Sequence, residues 1–304
     1  MSTDTFDIVF ESISALYVLI IAVTVITLVV DKRDPVKTLS WVVVIIMLPI
    51  AGIFLYLMFG QNFRKRKIFR EKCRFNSDHI DTIITRQLYS VNSPFADNRP
   101  EIAVNRDVVT LLLNAGRAPV TYNNDIRILN DGRETFEAIF TDIAAARKSI
   151  HLEYYIISDD SLGRALADLL CQKASEGVEV RVIYDSVGCF SLPRRYIERL
   201  KRSGVEVEEF MPVVFPHFTS KINYRNHRKI VVIDGAISFT GGLNVADRYV
   251  TGTSKLGDWR DTHLRIEGKA SHTLQAIFIT DWYFVHHVQL DEALYFAKTE
   301  PKDG

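Results

Sequence analysis

The sequence predicts an α/β protein carrying a two-helix transmembrane hairpin at its N-terminus. Three observations carry that prediction: two long uncharged apolar runs near the start, a regular alternation of strand-like and helix-like segments from about residue 121, and an Asp-Gly turn signal between two apolar runs at Asp234 and Gly235. The chain then divides into four segments: a hairpin at 1–62, a basic juxtamembrane segment and linker at 63–119, one α/β domain at 120–290 and a polar tail at 291–304. The chain has 304 residues, which fits two units at about 150 residues per domain.

Residues 12–30 and 38–60 carry no charge, and each is close to the roughly 20 residues that cross about 30 Å of hydrocarbon as a helix. The gap between them holds Lys32, Arg33 and Pro35, a short polar turn that makes the pair a hairpin. Pro49 inside the second run predicts a kink, which membrane helices tolerate. Trp41 and Tyr56 stand towards its ends, where interfacial aromatics sit. A cleaved signal peptide is the competing reading, but it wants a basic start, whereas this chain opens with Asp4, Asp7 and Glu11. Buried core helices of this length usually have a charged face, and these runs have none. The cluster Arg64, Lys65, Arg66, Lys67, Arg70 and Lys72 predicts a cytoplasmic location for the domain beyond it. The basic turn at Lys32, Arg33 and Lys37 pulls the other way; the larger cluster is given precedence. That cluster can also attract anionic head groups.

Residues 73–119 are polar and weakly patterned, with one short helix expected over 107–113. Beyond them, 125–129 reads as a strand. Residues 134–147 place Phe136, Ile139, Phe140 and Ile143 on one helical stripe. Residues 151–157 read as a strand, 162–175 as a helix stopped by Gly177, and 178–184 as a strand. A helix over 193–202 closes at Gly204, followed by a strand over 205–210. This alternation predicts a largely parallel core sheet. The Asp-Gly signal joins strands at 229–233 and 236–240 as a hairpin. A strand over 261–267 and an amphipathic helix over 271–288 complete the domain.

The formal net charge is zero, so bulk charge indicates no nucleic-acid partner. Cys73, Cys171 and Cys189 are odd in number and far apart, which argues against structural disulfides and a zinc site.

The chemistry-bearing segment spans residues 226–244. His227 and Lys229 are two apart, so they project from one face of a strand. Asp234 has the opposite parity and sits in the turn, a structural position. Gly241 and Gly242 allow close approach of a backbone or ligand, and Asn244 follows with an amide. An imidazole beside an ammonium and an amide suits an anionic phosphoryl group. A surface histidine beside a solvated lysine is the bland alternative.

The pattern His227-x-Lys229-x4-Asp234-x6-Gly241-Gly242-x-Asn244 resembles the active-site motif of the phospholipase D superfamily. Asp31 through Trp41, with Leu48, Pro49, Gly52, Tyr56, Leu57, Phe59 and Gly60, resembles the N-terminal membrane segment of bacterial cardiolipin synthases. Gly177 through Asp185, Arg225 through Lys229, and Trp259 through His263 are similar to that family's first half. The resemblance runs from about residue 8 to about residue 285. It implies one phospholipase D-like α/β/α half-domain with a mixed β-sheet, and phosphatidyl transfer between two phosphatidylglycerol molecules. His227 would attack phosphorus; Lys229 and Asn244 would hold the phosphate oxygens. Asp261 is the expected orienting carboxylate for the imidazole, or else a turn carboxylate. Glu153 would approach the site or pair with a core-edge arginine. Arg225 and Arg228 would attract the head group or stay solvated. No metal or cofactor is implied.

The family carries two such motifs per chain, one histidine serving as nucleophile and the other as general acid. One motif is found here, so the second half-site is expected from a homodimer mate or a second-half partner chain; an inactive truncated half is the third reading. The resemblance places the protein in the bacterial inner membrane, with phospholipid as substrate. Phospholipid hydrolysis, other phosphodiester cleavage and a non-catalytic membrane subunit remain open alternatives.

Overall fold

The computed structural model describes residues 18–26, 35–56, 78–92, 104–213, 225–254 and 257–296, together with Glu11, Ala15 and Ile102. The chain divides into two compact units, Met1–Arg70 and Glu71–Gly304.

In the first unit, residues 18–26 are helical, and two further helices succeed them, α1 (Pro35–Met47) and α2 (Pro49–Leu55). The break falls at Leu48, outside helical dihedrals at φ −131° and ψ 70°. Proline opens α2, where its missing N–H would have had no intrahelical partner anyway. A Cβ on Gly52 would sit 2.7 Å from the Val44 carbonyl oxygen, so only glycine lets the two helices touch at the bend. Ile45 and Tyr56 are buried, packed with Ile21, Trp41 and Ile53. Among the described residues the exposed side chains are mostly apolar: Val18, Leu19, Val23, Ile26, Leu39, Val43, Ile46 and Phe54. No helix among the described residues is long and apolar enough to cross a membrane. Both expected spans are described only in part, and the basic cluster at 64–72 lies outside the described residues.

The second unit is built on one seven-stranded sheet: β1 (Asp125–Asp131), β2 (Ser149–Tyr154), β3 (Glu179–Asp185), β4 (Glu206–Phe210), β5 (Lys229–Ile233), β6 (Ile237–Gly241) and β7 (Arg260–Glu267), in the order β1-β7-β6-β5-β2-β3-β4. The sheet is mixed. Only β2–β3 and β3–β4 pair in parallel; the other neighbours are antiparallel. This corrects the expectation of a largely parallel core. Among strands that lie side by side in the sheet, only β2, β3 and β4 are joined by helical crossovers, which parallel neighbours require. Asp234 and Gly235 take φ of 52° and 68°, the left-handed pair at the centre of a turn that the Ala236 N–H closes on the Ile233 carbonyl oxygen at 3.0 Å, and this tight reversal makes β5 and β6 antiparallel.

Three helices cover one face: α5 (Gly132–Ala145), α6 (Ser161–Ser175) and α7 (Arg194–Arg202). Asp131 and Asp160 cap α5 and α6 by accepting from the backbone N–H groups of Glu134 and Gly163, satisfying donors that a helix start leaves open. Phe136, Ile139, Ile143, Leu166, Leu170, Tyr196 and Leu200 pack there against Ile150, Leu152, Val180, Val182, Val231, Ile233 and Phe239. A short helix, α8 (Arg248–Thr251), adds Tyr249 to this core. The other face is covered by α9 (Ala270–His286) and the short α10 (Glu292–Tyr295). α9 touches the sheet partly through polar groups: Gln275 Nε2 lies 2.8 Å from His151 Nδ1, and Ser238 Oγ donates to Ser271 Oγ at 2.8 Å.

Two features were not foreseen. Asp78–Asn92 forms a 15-residue helix, α3, within the expected linker. Its Ile80, Ile84 and Val91 bury against Val109, Leu113 and Ala276. The helix expected near 107–113 is α4 (Arg106–Leu111), which runs on into a π-helical turn, Leu112–Gly116. Within the polar tail, Tyr295 is buried against Ile279.

Candidate active site

The sheet brings the candidate residues to one edge. β2, β3, β6 and β1 end there, and β5 and β7 begin there, as the register shows: Tyr154 opposite Lys229, Gly241 opposite His263 and Asp131 opposite Arg260. In α/β sheets, the carboxyl ends of the strands are the usual place for ligands.

His227 precedes β5 and is exposed. Its ring lies 4.7 Å from the ring of Tyr155. Lys229, the first residue of β5, is 3% exposed. Its Nζ donates to the His227 carbonyl oxygen at 2.9 Å and stands 3.1 Å from each imidazole nitrogen. A point equidistant from both nitrogens lies along neither lone pair, so the ammonium faces the ring without capturing either nitrogen. Burial, then the Lys229 charge, holds the His227 pKa below its ordinary value, against an opposing pull from Asp185. The imidazole is therefore neutral at neutral pH. Burial pushes Lys229 down to about 8, with Asp261 opposing. A desolvated cation beside a neutral exposed imidazole is a receptive place for an anionic phosphodiester.

The other expected residues are arranged less simply. Asn244 is buried; its Nδ2 donates to the Tyr249 hydroxyl at 2.9 Å and its Oδ1 accepts from the Ile156 N–H at 3.1 Å. One N–H of its amide remains for a ligand. Asp234 lies away from the pair: its carboxylate accepts from the backbone N–H groups of Arg147, Lys148 and Ser149 and fastens the β5–β6 turn to the start of β2. Asp261 influences Lys229 and His263 electrostatically, but among the described residues no hydrogen bond joins it to His227. The space beside Gly241 and Gly242 is taken by β7. A Cβ on Gly241 would collide with His263 Nδ1, and one on Gly242 would collide with Asp261 Oδ1. The close approach these glycines permit is thus to Asp261 and His263. His263 is buried, and loss of solvation lowers its pKa to about 4.

Glu153 is buried on the α9 side of β2 and accepts from the Asn226 side-chain amide. Arg225 donates to the Met211 carbonyl oxygen at 3.2 Å and lies 3.5 Å from Asp185. Arg228 is held by Asp281 at 2.5 Å. Both guanidiniums are thereby engaged with protein carboxylates.

Asn226, Asp185, Asp281 and Tyr155 were not singled out as site residues from sequence. Asp185 ends β3 and accepts from the N–H groups of Val187, Gly188 and Asn226 at 2.9, 3.0 and 3.0 Å. It therefore ties the loop after β3 to the residue before His227. Polar residues at the opposite parity to His227 and Lys229 were the available signal for Asn226.

The chain is similar to known proteins along most of its length. Residues 139–282 match a family model described as cardiolipin synthase, PLD-like domain, and residues 15–61 match one described as phospholipase D-nuclease N-terminal. A cardiolipin synthase of Oceanobacillus iheyensis is 45% identical over 269 residues, covering 88% of this chain and 55% of that protein. One from a Geobacillus species is 41% identical over 256 residues, covering 84% and 50%. The chain thus spans about half the length of the curated relatives it matches. Among solved structures, the phospholipase D family member Nuc of Salmonella typhimurium is 15% identical, with a TM-score of 0.41, over 53% of this chain and 96% of that one, a likeness too slight to carry weight.

Proposed function

We propose, from the premise that residues 139–282 are a phospholipase D-like domain of the cardiolipin synthase family, that this chain is one half of a phosphatidyltransferase joining two phosphatidylglycerol molecules into cardiolipin and glycerol. The observation that carries the reading is the exposed imidazole of His227 beside the buried side chain of Lys229 at the strand ends.

In the proposed scheme, a His227 nitrogen attacks the phosphorus of the first phosphatidylglycerol. The phosphorus–oxygen bond to glycerol breaks, and the departing oxygen takes a proton from a general acid, leaving a phosphatidyl-histidine. The terminal hydroxyl of a second phosphatidylglycerol then attacks phosphorus and gives its proton back to that same general acid, now acting as a base, while the phosphorus–nitrogen bond breaks and frees the imidazole. Lys229 and the remaining N–H of Asn244 neutralise the phosphate oxygens. Such preorganised donors stabilise charge that develops in the transition state. Asp234 keeps the turn in place, and Asp261 tunes Lys229 and is proposed to bear on the imidazole only once the site is whole. Gly241 and Gly242 let β7 bring Asp261 in.

The scheme needs an acid on the leaving-group side. We assign it to a second half-site, from a two-fold mate or from a second-half partner chain. A two-fold axis through the site would place two His227 side chains together. The apolar exterior of the first unit supports attachment to the bacterial cell membrane through residues 1–62, with the α/β domain on the cytoplasmic side. A membrane anchor keeps the enzyme in the same phase as its lipid substrate.

The test is direct. The chain is purified in detergent, its mass measured and phosphatidylglycerol supplied, alone and with a second-half chain. Cardiolipin and glycerol are expected, falling at least about 10³-fold in His227→Ala, as for loss of a nucleophile. Phosphatidic acid as the main product would reassign the site to hydrolysis. Absence of turnover in every assembly would make the chain a non-catalytic membrane subunit.

A further inference from the structure

The imidazole of His227 is exposed and its own contacts are few, so its aim depends on the residues that flank it. Those residues are tied down on the opposite side of the sheet. Asn226 donates its backbone N–H to Asp185 Oδ2 at 3.0 Å, and its side-chain amide to Glu153 Oε1 and to Asp281 Oδ2 at 3.3 Å. Its Oδ1 accepts from the Arg228 N–H at 3.2 Å. The Arg228 guanidinium closes the loop by donating to the same Asp281 oxygen at 2.5 Å. Asp281 belongs to α9 and is wholly buried, as Glu153 nearly is.

We infer that Asp281 is a positioning residue for His227, acting through Asn226 and Arg228. The inference rests on the reading of His227 as the nucleophile. One buried carboxylate oxygen accepts from the residue before the imidazole and from the residue after it. It therefore fixes the backbone on both sides of His227 to a rigid helix. Charge-assisted bonds of this kind are shorter and stronger than neutral ones. A nucleophile displaced by about 1 Å can lose about 10²-fold in rate. Helix attachment alone does not account for the arrangement. α9 is already held to the sheet by Ser271 on Ser238, by Gln275 on His151, and by Phe278 stacked on the His151 ring at 4.5 Å. Nor does Arg228 serve only as a head-group cation, since its guanidinium is spent on Asp281 while 40% of its side chain stays exposed.

The test uses the full chain in detergent, with its second half-site supplied, and the variants Asp281→Asn, Asp281→Glu and Arg228→Met. Arg228→Met is the safeguard against misfolding, because its side chain is half in solvent. Expected for Asp281→Asn is a fall in kcat on phosphatidylglycerol of about 10²-fold, with KM within about twofold. Asp281→Glu recovers part of it, and Arg228→Met falls between. In parallel, hydrogen exchange of the amides at 226–229 quickens while that of α9 does not change. An unchanged kcat overturns the inference. So does a raised KM at constant kcat, which marks plain head-group binding, and so does faster exchange throughout α9, which marks a merely structural role. Should the wild-type chain not turn over, the reading of the enzyme fails on its own, and exchange at 226–229 still decides whether Asp281 holds that loop: unchanged exchange overturns the inference, and quickening confined to the loop supports it.

Discussion

On the face of the sheet covered by α5, α6 and α7, β2 presents Ile150, Leu152 and Tyr154 to an apolar core. On the face covered by α9, the same strand presents His151 and Glu153, and the sheet adds Arg181 from β3 and Ser238 from β6 among the apolar Ile183, Ile230 and Val232. Both faces are buried, yet one is held by apolar packing and the other by apolar packing with buried hydrogen bonds set into it. The difference matters for function because the loop bearing His227 is anchored on the polar face, through Asn226 and Asp281, while the imidazole and Lys229 stand at the free edge of the other. Packing tolerates small errors of position; a directional hydrogen bond does not. The polar face is therefore the one suited to holding a nucleophile in register.

Adjacent residues of β2 can separate the two roles. Leu152→Ala removes a wholly buried side chain and should cost about 2–5 kcal/mol in urea unfolding, with activity per folded molecule preserved. Glu153→Gln should cost less stability but lower kcat, because it weakens the charge-assisted bond to Asn226. If both variants lose activity in proportion to lost stability, the division between the faces is wrong.

Acid should also find the polar face first. Desolvation, then the nearby Arg181 charge, lowers the His151 pKa from 6.5 to about 3, against a hydrogen bond from Gln275. The folded value lies below the unfolded one, so the unfolded chain takes up the proton first. Stability is therefore fully present above pH 6.5 and falls as pH drops from there towards 3. At pH 4, His151 alone should remove about 3 kcal/mol, since one pKa unit corresponds to about 1.4 kcal/mol. Urea unfolding at pH 7 and pH 4 measures the difference, and His151→Asn should reduce it by about that amount. A pH dependence unchanged in His151→Asn would show that the acid sensitivity lies elsewhere.

Much of the fold was legible because its signals are local. Gly177 and Gly204, each at φ 90°, stop α6 and α7 where a left-handed residue is needed, and the stripe of Phe136, Ile139 and Ile143 turns inward as its spacing predicts. The parallel core was misjudged because strand order is a long-range property: nothing local says that β5 pairs with β2. α3 was missed because three buried residues, Ile80, Ile84 and Val91, are a sparse stripe whose partners lie beyond it in the chain. At the site, spacing alone brought His227 and Lys229 together. Their supports were hidden because Asp185 and Asp281 stand 41 and 55 residues from Asn226, and a carboxylate in an apolar helix does not announce its partner. Among the described residues Asp261 acts electrostatically on Lys229 and His263, a relation between strand starts that spacing along the chain does not reveal.

The subtlest consequence of the contrast falls on Lys229, which belongs to the apolar face by parity but stands at its open end. Burial lowers its pKa from 10.5 to about 8, and Asp261 limits the fall. The free enzyme should therefore lose its phosphate-binding cation as pH rises through about 8, and kcat/KM should decline above that value by about tenfold per unit. A bound phosphodiester favours the charged form, so the corresponding limb in kcat should lie at higher pH. Asp261→Asn removes the group that opposes the shift, and should move the kcat/KM limb to lower pH. A limb that stays in place in Asp261→Asn would mean that Asp261 does not act on Lys229.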